Sequence, residues 1–150
     1  MKTEADKDAV EAAIATTDIC KLRDRFLSDL SGGQRQRAFI AMCLAQDTPY
    51  LLFDEPTSFL DLRYQYEIMD LPRSLTEHGK TCLLVLHDIP QASRYADHLV
   101  VMRDGRVVHQ GLPKSIVTAQ MLEEIYEVKA AVYTDPMTGT PTVSMIPTNP

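Results

Sequence analysis

Apolar residues recur along this chain in two rhythms. Between residues 7 and 17 they fall at helical spacing, with Val10, Ala13 and Ile14 on one face. Residues 18–30 form a mixed connector ending in Asp29-Leu30. From Gln34 to Ala45 the spacing predicts a strong helix. Its second half, Ala38 to Ala45, is apolar on nearly all sides and is expected to be buried. The rhythm then changes. Tyr50-Leu51-Leu52-Phe53 is a continuous apolar run that stops at Asp54-Glu55-Pro56. Such a run suits a strand covered on both faces, as in a parallel sheet, and Pro56 cannot continue it. Residues 62–78 have helix length and end near Gly79, with a kink or interruption expected at Pro72. A second apolar strand, Thr81 to Leu86, stops at His87-Asp88. Strand, helix and strand make a βαβ unit, whose crossover is almost always right-handed.

Shorter elements follow. Asp88 is a candidate N-cap for a helix from Ile89 to Ala96, with Pro90 in its first turn. Asp104-Gly105 between Leu99–Met102 and Arg106–Gln110 predicts a hairpin. Residues 113–127 read as one or two short helices, and Ala130–Tyr133 and Thr142–Ile146 as short strands. The Thr- and Pro-rich end is expected to fray.

Composition narrows the function classes. A net charge of -6 argues against a nucleic-acid binder, which usually carries a basic face. Three scattered cysteines make no disulfide framework and point to a reducing compartment. No apolar run approaches the length of a membrane span. Residues 1–15 are charged and lack a signal-peptide core. The expected location is cytosolic, with any work at a membrane depending on a partner.

Four short stretches carry candidate chemistry. In Leu30-Ser31-Gly32-Gly33-Gln34, two glycines open a helix. Unpaired N–H groups there can bind an anion, and glycines let a phosphate approach the backbone. Ser31 and Gln34 also have capping-box spacing, so a well-capped helix after a glycine turn explains the same residues. Asp54 and Glu55 end a strand, where parallel sheets bind ligands. Asp54 could hold Mg²⁺ through water, and Glu55 could orient and deprotonate an attacking water. A solvated strand end is the plain alternative. His87 ends the next strand on the same expected sheet edge, where it could meet a γ-phosphate or steady the water and Glu55. Ser58-Phe59-Leu60-Asp61 reads as a turn with a helix cap at Asp61.

The order and spacing of these four stretches resemble the ABC ATPases. Leu30 to Gln34 looks like their signature motif, Tyr50 to Glu55 like Walker B with its catalytic Glu, Ser58 to Asp61 like the D-loop, and His87 like the switch histidine. Gln34-Arg35-Gln36-Arg37 is typical of transporter ATPases, and argues against the DNA-repair and translation-factor relatives. Three further stretches look most like importers of iron(III)-siderophores, with haem and cobalamin importer ATPases as close relatives. They are residues 60–65, residues 86–92 and Asp135-Pro136-Met137-Thr138-Gly139-Thr140-Pro141.

The resemblance implies a P-loop NTPase fold of ABC type, α/β. The chain is expected to be its C-terminal half: the end of the helical subdomain over about residues 1–48, then a largely parallel sheet with flanking helices over about 49–150. It implies ATP and Mg²⁺ as ligands. A second ABC ATPase subunit would pair head to tail, with transmembrane permease subunits and, indirectly, a substrate-binding protein. The expected place is the cytoplasmic face of the inner membrane. In that scheme Asp54, Glu55 and His87 serve the subunit's own ATP. Ser31, Gly32, Gly33 and Gln34 serve the partner's, and Asp61 lies in the D-loop between. No Gly-x-x-x-x-Gly-Lys-Ser/Thr occurs in the chain, so Walker A is missing. Two expectations follow: weak ATP binding by the chain alone, and an exposed sheet edge with an apolar face. The alternative is a non-catalytic module that donates its signature to, or inhibits, a full-length partner.

Overall fold

The computed structural model describes residues 3–58 and 60–147. The chain divides into two compact units, Met1–Val85 and Leu86–Pro150.

In the first unit, helix α1 (Glu4–Thr16) begins with a reciprocal cap. The Thr3 hydroxyl accepts from the Asp6 N–H, and the Asp6 carboxylate accepts from the Thr3 N–H. Its buried stripe is narrower than the sequence suggests, because Ala13 is buried while Val10 is exposed. Two 3-10 turns, Cys20–Leu22 and Leu27–Asp29, fill the connector. Helix α2 (Gly32–Leu44) starts two residues before its apolar periodicity, since Ser31 caps it. Ile40 packs with Leu51, Phe53, Ile68 and Leu75, and Ala41 packs with Ala13 and Ile19. Those two contacts use two sides of α2. Phe39 and Met42 remain exposed, which corrects the expectation of burial all round.

Strands β1 (Tyr50–Asp54) and β2 (Thr81–Val85) pair in parallel, from Tyr50 opposite Thr81 to Asp54 opposite Val85. Helix α3 (Leu62–Glu77) joins them, completing the βαβ unit. The strands are not covered on both faces. Leu51 and Phe53 are buried, whereas Tyr50, Leu52, Leu83 and Val85 are exposed, Leu52 to 71%. The helices pack on one face, and the apolar run of β1 reflects an apolar character on both. The interruption expected at Pro72 does not occur, and α3 runs through it. A proline inside a helix costs on the order of 3 kcal/mol through its missing N–H and its ring. Ile68, Met69, Pro72 and Leu75 are all buried at helical spacing, so packing holds the helix together across it. Gly79, at φ +81, takes the chain out of α3. Lys80 reaches Asp47 at 2.8 Å, joining the two loops that lead into the strands. Its ammonium holds the Asp47 carboxyl below the usual carboxylate range.

In the second unit, Asp88 caps helix α4 (Ile89–Tyr95) by accepting from the Gln91 N–H at 2.6 Å. Strands β3 (Leu99–Arg103) and β4 (Arg106–Gly111) form an antiparallel hairpin. Its turn has Asp104 at φ +51 and Gly105 at φ +73, the pattern of a primed turn. Helices α5 (Pro113–Ile116) and α6 (Ala119–Tyr126) precede a second antiparallel hairpin, β5 (Ala130–Thr134) with β6 (Pro141–Met145). Val117, Met121, Leu122 and Ala130 form the core, with Leu99, Val101, Val132 and Val143 against it. The Asp135 carboxylate accepts from the Met137 and Thr138 N–H groups at 2.8 and 3.0 Å. Those donors, Thr138 first, hold it below the ordinary carboxylate range. Residues 135–140 thus build the loop of the second hairpin. The fraying expected at the C-terminus falls partly on residues 148–150, outside the described residues. No described helix is long and apolar enough to cross a membrane.

Candidate active site

At the end of β1 the backbone turns sharply, and two carboxylates stand at the turn. Asp54 is the last strand residue, paired with Val85. The Glu55 N–H still donates to the Val85 carbonyl at 3.1 Å. Beyond that bond the chain leaves the sheet, with Glu55 in the left-handed region at φ +47. For an L residue with a long side chain this conformation costs about 1–2 kcal/mol. Pro56, buried, ends the ladder. The Ser58 hydroxyl donates to a Glu55 carboxylate oxygen at 2.7 Å, and the Ser58 N–H to the Glu55 carbonyl at 3.1 Å. Asp54 and Glu55 are both exposed. The turn closes at Asp61, whose carboxylate accepts from the Tyr64 N–H at 3.2 Å and caps α3. Phe59 lies outside the described residues.

The start of α2 is a capping box. Ser31 Oγ accepts from the Gln34 N–H at 3.4 Å, and Gln34 Oε1 accepts from the Ser31 N–H at 3.1 Å. The plain structural reading of these residues therefore holds. The cap still leaves the Ser31 hydroxyl its own proton to donate. The N–H groups of Gly32 and Gly33 lie in the first helical turn, where the helix has no acceptor for them. Ser31 and Gly32 are exposed.

Gly33 is buried for a reason the sequence does not announce. A Cβ there would lie 2.9 Å from Tyr64 Cδ1, on the first turn of α3. Further along the same pair of helices, Arg37 donates to Glu67 at 2.5 Å, and Arg63 donates to the other Glu67 oxygen at 2.9 Å. These guanidinium groups, Arg63 first, hold the Glu67 carboxyl below its usual range.

The expected site residues thus fall into three places. Asp54, Glu55, Ser58 and Asp61 share one strand-to-helix turn. Ser31 to Gln34 open the helix packed against α3. His87 lies exposed, two residues past β2, in the second unit. Tyr64 was missed, and its only signal is a glycine in a helix already capped by Ser31. The strain at Glu55 had none, since a following proline favours extended backbone rather than φ +47. Among the described residues, no group of three His, Cys, Asp or Glu side chains could cage a metal ion. A single exposed carboxylate such as Asp54 fits a cation that keeps its own waters and other ligands, as Mg²⁺ does.

A family model described as ABC transporter matches residues 1–58. The ferric enterobactin transport ATP-binding protein FepC of Escherichia coli (strain K12) is 49% identical over 139 residues, 92% of this chain and 51% of that protein. The petrobactin import ATP-binding protein FpuD of Bacillus anthracis is 42% identical over 140 residues, 93% of this chain and 51% of that protein. An ATP-binding cassette of an ABC transporter, solved in its ADP conformation, matches with a TM-score of 0.75 and 25% identity. That match covers 85% of this chain and 52% of the other. The chain spans about half the length of the curated relatives it matches. In sequence and in fold it is similar to part of the ATP-binding subunits of ABC transporters.

Proposed function

We propose that this part of an ABC ATP-binding subunit supplies the hydrolytic acid and the signature helix of an importer ATPase, with iron(III)-siderophores as the cargo class. The names of the relatives support the cargo. The observation that carries the chemistry is the turn at Glu55. A glutamate is kept in a left-handed conformation at the end of a parallel strand, with its carboxylate steered by Ser58. Backbone strain of this kind collects at functional sites.

In this reading Glu55 orients the attacking water and takes its proton, while the phosphoanhydride bond between the β- and γ-phosphates breaks in line and ADP leaves. Asp54 would hold Mg²⁺ through water, and the ion would supply neutralisation of phosphate charge. His87 would steady the γ-phosphate or the water. Ser31, through its free hydroxyl proton, and the N–H groups of Gly32 and Gly33 would bind the phosphate of a nucleotide carried by the partner subunit, with Gln34 fixing Ser31 in place. Asp61 would shape the D-loop between the two nucleotides. The chain contains no Gly-x-x-x-x-Gly-Lys-Ser/Thr, so the loop that cradles the phosphates must come from outside these 150 residues. The working unit is a head-to-tail pair of cassettes, peripheral on the cytoplasmic face of the membrane. It would be held there by permease subunits and fed by a substrate-binding protein.

Mixed dimers of the full-length cassette test this assignment. With Ser31→Arg in one subunit and Glu55→Gln in the other, both lesions fall on one ATP site, and the second site stays intact and hydrolyses. With both changes in one subunit, each site carries a lesion and hydrolysis is lost. Equal residual activity in the two arrangements overturns the trans role of Ser31.

A further inference from the structure

Two adjacent glycines open α2, and the structure assigns them different duties. Gly32 has room, since a Cβ there would meet only Leu60 Cδ2 at 3.7 Å, an ordinary contact. Gly33 has none. Its Cβ would stand 2.9, 3.0 and 3.4 Å from Cδ1, Cγ and Cε1 of Tyr64. Cγ and Cδ1 sit at the root of the ring, so the ring cannot clear the space by swinging its tip away. Gly33 is not in the left-handed region, so its backbone would accept any residue. Glycine costs up to about 1 kcal/mol against alanine within a helix. The ring of Tyr64 is what the structure offers to account for it.

We infer that Tyr64 is a positioning residue for the signature turn, and that glycine is required at 33 to seat its ring. This rests on the ATPase reading above. Tyr64 is itself fixed. Its N–H is held by the Asp61 cap, and Gln65 Nε2 donates to the Leu60 carbonyl at 2.9 Å in the same turn. The Arg37–Glu67 pair repeats the link between α2 and α3 about one turn further on. Contacts at both ends of one stretch of chain therefore link the acidic turn to the signature. Glu55 is bonded to Ser58, the chain continues to Asp61, Asp61 holds Tyr64, and Tyr64 bears on Gly33. The ring thereby sets where the Ser31 hydroxyl and the first N–H groups of α2 are presented.

The test is a double-mutant cycle in the full-length cassette, using Gly33→Ala, Tyr64→Ala, their combination, Tyr64→Phe and Gly32→Ala. Two readouts are taken: ATP hydrolysis, and hydrogen exchange of the amides of residues 34–37 without nucleotide. Gly33→Ala is expected to lower hydrolysis on the order of tenfold through overpacking, and to speed exchange in the first turn of α2. In the Tyr64→Ala background the same change should cost nothing further. Tyr64→Phe should behave as the unaltered protein, and Gly32→Ala should leave exchange unchanged. An equal loss from Gly33→Ala with and without the ring overturns the inference and returns Gly33 to the ligand. Absence of hydrolysis in the unaltered cassette sinks the ATPase reading instead, while exchange still reports whether the ring holds α2.

Discussion

Glu55 and Asp104 share a backbone conformation for different reasons. Both are L residues in the left-handed region, at φ +47 and +51. Asp104 precedes Gly105 in a tight hairpin turn whose geometry demands positive φ, and aspartate tolerates it well. The residue type at 104 follows from the turn. At 55 the turn would be better served by glycine or asparagine, yet the chain has a glutamate bonded to Ser58. One region has the residue its backbone prefers. The other keeps a residue its backbone resists, which is the pattern expected where the side chain serves chemistry.

That contrast can be broken by substitution. In the full-length cassette, Glu55→Gly relieves about 1–2 kcal/mol of strain but loses the Ser58 bond worth about 1 kcal/mol, so stability should change by less than about 1 kcal/mol. The substitution should lower hydrolysis by about 10²–10⁴-fold, as expected for a lost general base. Chemical denaturation and turnover measured on the same sample check that activity collapses while stability barely moves. Ser58→Ala should be milder. The carboxylate loses one orienting bond worth about 1 kcal/mol, so hydrolysis should fall about fivefold.

Acid should act away from the turn, on the clamp between α2 and α3. The Glu67 carboxyl titrates below its unfolded value, so its stabilising contribution is present above the ordinary glutamate range. It is lost as pH falls through the folded value. Between neutral pH and the carboxylate range, the unaltered cassette should therefore lose more stability than Glu67→Gln. The difference is small because the pair is partly exposed, and added salt should shrink it. The smallest effect belongs to Asp104→Asn, which should change stability by less than about 0.5 kcal/mol and leave hydrolysis untouched.

Much of this was legible in the sequence because it is local. Ser31 with Gln34, Asp61, Asp88 and Asp104-Gly105 all declare themselves through the spacing of capping and turn residues. The pairing of β1 with β2 followed from two apolar runs around one helix. What the sequence hid depends on residues distant in the chain. Pro72 reads as a helix breaker until Ile68, Met69 and Leu75 are seen buried beside it. Leu52 and Leu83 read as core from their runs alone, whereas the packed helices cover only the other face, leaving the apolar face that the missing Walker A led us to expect. Gly33 reads as a phosphate glycine, and nothing in the sequence announces the Tyr64 ring against it. The roles proposed for Asp54, Glu55 and Ser31 rest on motif order, and the geometry adds the strain and the Ser58 bond at Glu55.

The most direct measurement is a comparison of binding and turnover by Glu55→Gln in the full-length cassette. Glutamine keeps the size of the side chain and can still accept from Ser58, but it cannot take a proton from water. ATP affinity, measured by equilibrium titration, should be unchanged, while single-turnover hydrolysis falls by about 10²–10⁴-fold. Hydrolysis at the unaltered rate would contradict the assignment of Glu55 as the base. Loss of ATP binding with no separate loss in the chemical step would instead make it a ligand-holding residue.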